Sequence, residues 1–427
     1  MRIGKLGVKG DKGIWLAFVG LLAVSVVSVF TSVGRTAYQI NGIGWMIGKE
    51  LLLVGSAWVV CWMTHWVNYR KYGKLALGLM CGGVLLLVWA MVQGRVMGGE
   101  RAAHRWLDLP VIGQIQPSEI VKYFALMFEG WILVKYKETR KSKEVFWKLF
   151  IPMVLIGGLI LVENVSSAGL FFMVYIAMLI IGGVNMKYLS LGIVGLVLGA
   201  LLFNYVSKEM GFGRGATASS RVEQFINNDY SDITRQENLA LMAISTGGLT
   251  GKWVGRTEIA RFLSESHNDF IFAIMLEEGG IFICLGVMFL YLFLFYRVLL
   301  VAKNARGYFG KYLAIGIGLM FMVQASINMA VAVNIFPVTG QTLPFISYGG
   351  TSLWISSFAL GIVLNISRKE NQKNKREKLL TTTGETIETE EDFMDEEEQT
   401  TSHDNKDSVR RKFEQRINET IEDESNN

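Results

Sequence analysis

The chain has 427 residues, of which 51% are hydrophobic and 19% are charged, and its mean hydropathy is +0.34. This composition excludes an ordinary soluble globular protein and favours a polytopic membrane protein. The net charge of +5 is unevenly distributed, because Leu379–Asn427 holds 16 acidic but only 5 basic residues. The basic excess therefore belongs to the apolar part, where it indicates membrane topology rather than nucleic-acid binding.

A membrane-spanning helix needs about 20 mostly apolar residues. The chain contains ten such runs, at about 14–34, 44–64, 75–94, 118–135, 147–163, 167–185, 187–206, 269–296, 312–335 and 347–367. The predicted fold class is therefore an all-α polytopic membrane protein with about ten transmembrane helices. Residues 1–13 precede this membrane domain (14–367), and residues 368–427 form an acidic tail whose composition predicts disorder. The three cysteines lie in apolar runs without metal-ligand spacing, and we interpret them as membrane-core residues.

The connections between the runs predict the orientation. Basic residues concentrate at 65–74, 135–148 and 297–311 and just after the last run. With ten spans these positions share one side with both termini, and the positive-inside rule makes that side the cytoplasm. The longest connection on the opposite side, 207–268, separates the seventh and eighth runs. It contains a stretch of helical periodicity at 236–244 and a glycine-rich turn at 246–252, and a connection of that length is more often functional than idle.

The outer connection at 95–117 breaks the charge pattern, since it carries Arg95, Arg101 and Arg105. These arginines suit either an anionic ligand, such as a phosphate, or local pairing with acidic groups.

The eighth run begins at Asp269, which follows His267 and precedes Glu277 and Glu278. A carboxylate at an apolar edge can act as a general base, or can hold a divalent cation through its oxygens. The alternative is an acidic group that is stabilised by the helix dipole. Asp269 and Glu277 are just over two helical turns apart, so both can face one cavity.

A second candidate site lies at the start of the fourth run, in Gln116-Pro-Ser-Glu119-Ile-Val-Lys122. Glu119 and Lys122 share one helix face and can pair within the membrane boundary. The pair is either a structural salt bridge or part of a catalytic site.

A third candidate site lies before the tenth run, where prolines and glycines place irregular backbone at membrane depth. Such backbone is tolerated only where it is buried or lines a polar cavity. Ser347 and Tyr348 supply hydroxyls for a sugar or phosphate ligand, and the alternative is a tight hairpin between two helices. The residues that we expect to shape this backbone are Pro337, Gly340, Pro344, Gly349 and Gly350.

Together these stretches resemble the SEDS (shape, elongation, division and sporulation) family, which includes FtsW and RodA. The resemblance covers about 10–367. Its matching segments are Gln116-Pro-Ser-Glu119-x-x-Lys122, Ser266-His-x-Asp269-Phe-Ile-Phe with Glu277-Glu278-Gly279, and Pro337-x-Thr-Gly-x-x-Leu-Pro-Phe-Ile-Ser-Tyr-Gly-Gly350.

The resemblance implies a peptidoglycan glycosyltransferase that polymerises lipid II, a disaccharide-pentapeptide on undecaprenyl diphosphate. Asp269 matches the family's catalytic aspartate, which would deprotonate the acceptor 4-hydroxyl or position it with a divalent cation (Mg or Mn) bound at Asp269. Implied partners are lipid II, undecaprenyl-diphosphate-linked glycan, a class B penicillin-binding transpeptidase, other divisome proteins and membrane lipids, in the plasma (inner) membrane at the septum. We expect the substrate-binding residues to be Arg101, Arg105, Glu119, Lys122, Arg221, His267, Ser347 and Tyr348.

The sequence departs from the family pattern in two places. Where the family often has Pro-Asp-Leu-Gly-Thr, the stretch here is Val162–Gly169, in which Glu163 is the acidic residue. Asn268 stands where the family usually has threonine. The short charged tail and the Leu-Pro-Phe-Ile-Ser-Tyr-Gly-Gly form favour the FtsW branch.

Two other functions remain open at this point. A lipid-linked precursor flippase would place its acidic groups near the membrane midplane, whereas Asp269 lies at the outer edge. A non-catalytic divisome scaffold would keep full activity in cells after Asp269→Ala.

Overall fold

In the computed structural model, described residues are 9–38, 43–97, 107–109, 113–210, 221, 223, 225–226, 236–253, 256–259, 262–263 and 268–383. Their long helices are α1 (Lys12–Tyr38), α2 (Ile43–Thr64), α3 (Tyr69–Met97), α4 (Pro117–Lys135), α5 (Lys143–Glu163), α6 (Val165–Ile181), α7 (Met186–Met210), α8 (Gln236–Gly247), α9 (Ile271–Asn304), α10 (Tyr308–Ala332) and α11 (Gly350–Thr383). Two short strands, β1 (Leu107–Leu109) and β2 (Gly113–Ile115), pair antiparallel before α4.

Each of the ten predicted apolar runs overlaps one of these helices, so the prediction of a helical membrane domain is confirmed. Among the described residues, seven helices are long and apolar enough to cross a membrane, namely α1, α3, α5, α7, α9, α10 and α11. Helix α6 is apolar but has only 17 residues. Helix α8 begins where the periodicity of 236–244 predicted a helix within the long connection.

Local sequence explains several helix ends. Pro117 opens α4, where its missing N–H costs nothing. Asn164 ends α5 and caps α6, since its side chain accepts hydrogen bonds from the N–H groups of Ser166 and Ser167. Asp11 accepts a hydrogen bond from the N–H of Ile14 at the start of α1.

The chain divides into a unit of residues 1–370 and a unit of residues 371–427, in which the described residues 371–383 are helical. In the first unit α9 packs against α1, α8 and α10, and α10 also packs against α4 and α6. The core is apolar along these helices, and buried polar side chains interrupt it near the ends of α4, α5 and α10. These interruptions mark where a polar ligand can enter the bundle.

Contacts between distant segments define two ends of the bundle. At one end Arg297 of α9 is paired with Asp11, and Asn365 of α11 accepts a hydrogen bond from the N–H of Tyr69. We call this the basic end. At the opposite end, the start of α9 contacts the connection between α10 and α11.

Candidate active site

The turn at Asn268–Phe270 leads into α9 and carries Asp269. Ser347 donates its hydroxyl hydrogen to the carbonyl of Asn268 (2.7 Å), and Asn328 Nδ2 donates to the carbonyl of Asp269 (2.9 Å). Phe270 is fully buried, whereas Asp269 is half-buried. The backbone is thus fixed from two sides while the carboxylate remains within reach of a ligand.

The connection between α10 and α11 runs opposite this turn, and we call residues 337–350 the proline–glycine segment. Its backbone is irregular, but several of its carbonyl groups accept hydrogen bonds from side chains of the bundle. Asn328 Nδ2 donates to the carbonyl of Gln341 (2.7 Å), and Gln324 Nε2 donates to the carbonyl of Thr342 (3.1 Å). The hydroxyl of Tyr291 donates to the carbonyl of Pro344. Non-helical backbone inside a membrane domain needs such internal partners.

Two further contacts tie the segment to the rest of the bundle. Gln341 Nε2 donates to Ser167 Oγ on α6 (2.7 Å), and Ser25 Oγ on α1 donates to the carbonyl of Ile346 (2.9 Å). Helices α1, α6, α9 and α10 therefore all hold this segment against Asp269.

Gly340 brings the segment close to the carboxylate of Asp269. Its φ is +67°, and a Cβ built there would lie 3.6 Å from Asp269 Oδ2. A side chain at this position would be strained, and it would also touch the carboxylate.

The surroundings of Asp269 are rich in hydrogen-bond acceptors. The side-chain oxygens of Gln324, Asn328 and Gln341 are buried, and among the described residues none of them has a hydrogen-bond donor. Gln324 and Asn328 lie one turn apart on the same face of α10. Acceptors of this kind suit a ligand that brings donors, such as a sugar with its hydroxyls, or a cation.

The predicted cationic and aromatic ligand groups lie on this side as well. Arg221 Nη1 donates to the carbonyl of Val338 (3.2 Å), which brings a guanidinium onto the proline–glycine segment. Lys49 Nζ lies 5.6 Å from the centre of the Tyr348 ring. Ser347 is buried, and its Oγ also accepts from the N–H of Leu343 (2.7 Å), so its hydroxyl fixes backbone. Its assignment to substrate stays a prediction.

Glu119 and Lys122 form the predicted pair on α4, with 2.7 Å between Oε1 and Nζ. Both side chains are buried. Helix α4 packs against α3 and α10, so the pair lies within the bundle, and its assignment to substrate stays a prediction. The remaining predicted ligands, Arg101, Arg105 and His267, lie outside the described residues.

That Glu277 shares a cavity with Asp269 stays a prediction. The Oε1 atom of Glu277 accepts hydrogen bonds from the backbone N–H groups of Glu258 and Ile259. Within the described part of the chain, no group of three His, Cys, Asp or Glu side chains could hold a metal ion. Metal binding at Asp269 therefore stays a prediction that rests on a single carboxylate.

Sequence reasoning missed Gln324, Asn328, Gln341 and Ser167, which organise the site. A usable signal was present, because Gln324 and Asn328 are polar residues at helical spacing within an apolar run, and such residues in a membrane helix face the bundle interior. Their partners, however, follow from the tertiary fold.

These elements define a class: a polytopic helical membrane protein with a carboxylate at the start of one helix, set against an irregular, internally bonded membrane segment. A family model described as "Cell cycle protein", for FtsW, RodA and SpoVE, matches residues 12–372. The chain belongs to this family.

Curated relatives match over most of their length. The probable peptidoglycan glycosyltransferase FtsW of Geobacter metallireducens is 31% identical over 365 residues, which cover 84% of this chain and 95% of the relative. The protein of the same description from Trichlorobacter lovleyi is 29% identical over 364 residues, covering 84% and 93%.

Solved structures share the fold. A chain of a peptidoglycan synthase complex that coordinates polymerization and crosslinking superposes with a TM-score of 0.66 at 22% identity, covering 85% of this chain and 99% of that one. The rod shape determining protein RodA of Thermus thermophilus gives a TM-score of 0.59 at 22% identity, covering 84% and 97%.

Proposed function

We propose that this protein is a peptidoglycan glycosyltransferase that polymerises lipid II, with Asp269 as the general base. The observation that carries the proposal is the position of Asp269, which is half-buried in a turn fixed by Ser347 and Asn328 and lies near buried side-chain oxygens that have no donor among the described residues. The printed description of its curated relatives as probable peptidoglycan glycosyltransferases supports the same activity.

The reaction transfers a growing glycan from its diphosphate lipid to the 4-hydroxyl of an incoming N-acetylglucosamine unit. The 4-oxygen forms a bond to the anomeric carbon of the glycan, the bond from that carbon to the diphosphate oxygen breaks, and the diphosphate leaves with the electron pair. Asp269 accepts the proton of the 4-hydroxyl. Arg221, together with Arg101 and Arg105, neutralises the charge on the departing diphosphate.

A divalent cation fits this site only as an ion shared with the substrate. Asp269 is the carboxylate that would hold it, and a cation such as Mg²⁺ commonly binds through one or two carboxylates together with substrate phosphates. When bound, it supplies positive charge beside the diphosphate. The chain's own groups still position the acceptor and take its proton.

The same proposal includes a plasma-membrane location at the septum and a class B penicillin-binding transpeptidase as partner. Ten spans, with both termini in the cytoplasm, would place the basic end inside the cell and Asp269 outside, where lipid II is polymerised. Support comes from the basic connections at one end and from the likeness to a chain of a synthase complex.

The test is polymer formation by purified full-length protein with labelled lipid II, a divalent cation and a cognate transpeptidase whose own active site is blocked. We expect polymer from the wild type and a loss of about 10²–10⁴-fold for Asp269→Ala, the range that general-base catalysis supplies. Asn268→Thr is the neighbouring control, because Asn268 contributes its backbone carbonyl to the turn.

Equal amounts of polymer from the wild type and from Asp269→Ala would show that Asp269 takes no part in catalysis. If neither protein makes polymer, the proposed glycosyltransferase activity is contradicted. A lipid II flipping assay would then test the flippase function.

A further inference from the structure

Glu277 is a fully buried carboxylate whose charge lies against the outer connection between α8 and α9. Its Oε1 accepts hydrogen bonds from the backbone N–H groups of Glu258 (2.9 Å) and Ile259 (3.4 Å). Lys252 Nζ lies 3.7 Å from the same oxygen and 3.4 Å from Glu258 Oε2. The same carboxylate oxygen therefore contacts both ends of the described residues 252–253 and 256–259, which we call the anchor segment.

A break in α9 makes this contact possible. Gly280 is non-helical (φ 65°, ψ −170°), so the carbonyls of Glu277 and Glu278 are released from the helix ladder. They accept instead from the N–H groups of Lys252 and Trp253, each at 2.9 Å. The anchor segment is thus attached to α9 through backbone and side chain at the same level.

Asn268, the first residue of the turn that carries Asp269, follows the anchor segment by nine positions in the sequence. Thr257 and Leu263, on either side of the end of the anchor segment, are buried. The connection comes from α8 and ends at α9, the helix to which the anchor segment is attached. Fixing the middle of the connection on Glu277 shortens the free loop whose ends must be held, and so limits the positions that Asp269 can take.

A packing role alone does not explain a carboxylate at this position. Burying an ionised group is costly unless hydrogen bonds and an opposite charge compensate it, and an apolar side chain would pack without that cost. Glu277 has both kinds of compensation, the two backbone hydrogen bonds and the charge of Lys252, and all of these partners belong to the anchor segment.

We propose that Glu277 is a positioning residue for glycan polymerisation: it fixes the anchor segment on α9 and thereby sets the placement of Asp269 relative to the acceptor hydroxyl. The proposal rests on the proposed function. It assigns no contact with substrate to Glu277.

The experiment compares Glu277→Ala, Glu277→Gln and a matched control, Glu258→Gln, in the full-length protein. Glutamine keeps an oxygen that accepts from the same two N–H groups. Glu258 donates through its backbone, and its exposed side chain forms a surface ion pair with Lys252. The readouts are kcat and KM for lipid II, and hydrogen exchange of peptides that cover 252–259.

We expect Glu277→Ala to lower kcat about tenfold or more with a smaller change in KM, and to speed exchange in the anchor segment about tenfold, as expected for losing a charge-assisted hydrogen bond. Glu277→Gln is expected to lie between Glu277→Ala and wild type in both readouts, since the acceptor remains but its charge is lost. Glu258→Gln is expected to match wild type. If Glu277→Ala does not fold, Glu277→Asp, whose carboxylate is one methylene shorter, replaces it.

Unchanged exchange in Glu277→Ala overturns the proposal, and so does a glutamine variant as slow as the alanine variant. If the wild type makes no polymer, the proposed function fails, and the exchange comparison alone then decides whether Glu277 anchors the segment.

Discussion

At the scale of single residues, Gly340 couples the proline–glycine segment to Asp269. Its left-handed φ of +67° is costly for any residue with a Cβ, and the added methyl would lie 3.6 Å from Asp269 Oδ2. We expect Gly340→Ala to lower the free energy of unfolding by about 1–2 kcal/mol. We also expect the polymerisation rate to fall by more than the loss of folded protein accounts for. Thermal unfolding in detergent and initial polymerisation rates measure the two effects.

Gly349→Ala is the control for Gly340→Ala. Gly349 has no positive φ, and an added Cβ would meet only Ser352 Cβ at 3.8 Å, an ordinary contact. If both alanine variants behave alike, the conformation of Gly340 has no special role.

Some of these residues followed from the sequence. The Glu119–Lys122 pair was predictable because its partners share one helix face, and the structure confirms the pairing. The two bonds of Asn328 Nδ2 were not predictable, because their carbonyl acceptors, on Asp269 and Gln341, belong to different connections that only the tertiary fold brings together.

At the scale of elements, a glycine-rich turn docks backbone to backbone on the break in α9. A Cβ on Gly251 would lie 2.1 Å from the carbonyl oxygen of Glu278, which is too close to accommodate. We expect Gly251→Ala to open this docking and to lower the free energy of unfolding by about 2–4 kcal/mol, the upper range for single substitutions with backbone strain. Denaturant or thermal unfolding of the purified protein measures it.

The matched variant is Gly248→Ala. Gly248 also has a positive φ (+58°), but an added Cβ meets nothing within 4 Å, so only the conformational cost of about 1 kcal/mol applies. The difference in unfolding free energy between the two variants measures the cost of placing a Cβ against the carbonyl of Glu278. Equal losses would show that this contact adds no cost.

Apolar runs predicted the positions of the helices, since length and hydropathy decide which segments cross a membrane. They did not predict the break at Gly280. The run 269–296 reads as continuous, and the pair Gly279-Gly280 is compatible with an unbroken membrane helix. What favours the break is the stretch 248–253, in which the N–H groups of Lys252 and Trp253 and the carbonyl of Gly248 pair with the released backbone groups.

At the scale of the whole molecule, the basic end joins the first and last membrane helices through the turn after α2. The Trp66 ring lies near two cations, the guanidinium carbon of Arg368 at 3.8 Å from the ring centre and Lys9 Nζ at 5.5 Å. Asn365 donates to the carbonyl of His65 (2.8 Å). Cation–π contacts of this kind close the bundle at an end that hydropathy alone describes only as basic.

His65 makes this closure sensitive to pH. The ring is buried between Trp15 and Trp66, and Nδ1 lies 2.6 Å from the Trp62 carbonyl, which can only accept, so Nδ1 carries the proton of a neutral ring. Burial, with the charges of Arg368 and Lys9, lowers the pKa of His65 below its usual 6.5, although the bond to Trp62 opposes this. The unfolded chain therefore binds the proton more readily than the folded chain.

It follows that the fold loses stability as the pH falls below about 6.5, with a slope for this one proton of at most about 1.4 kcal/mol per pH unit. His65→Asn keeps an N–H donor towards Trp62 but does not titrate, so its melting temperature should fall less than that of the wild type between pH 7.5 and 5.5. Other groups titrate in both proteins, and the difference between the two profiles removes their contribution. Parallel profiles would show that His65 has the same proton affinity in the folded and unfolded chains, and that closure of the basic end is independent of its charge.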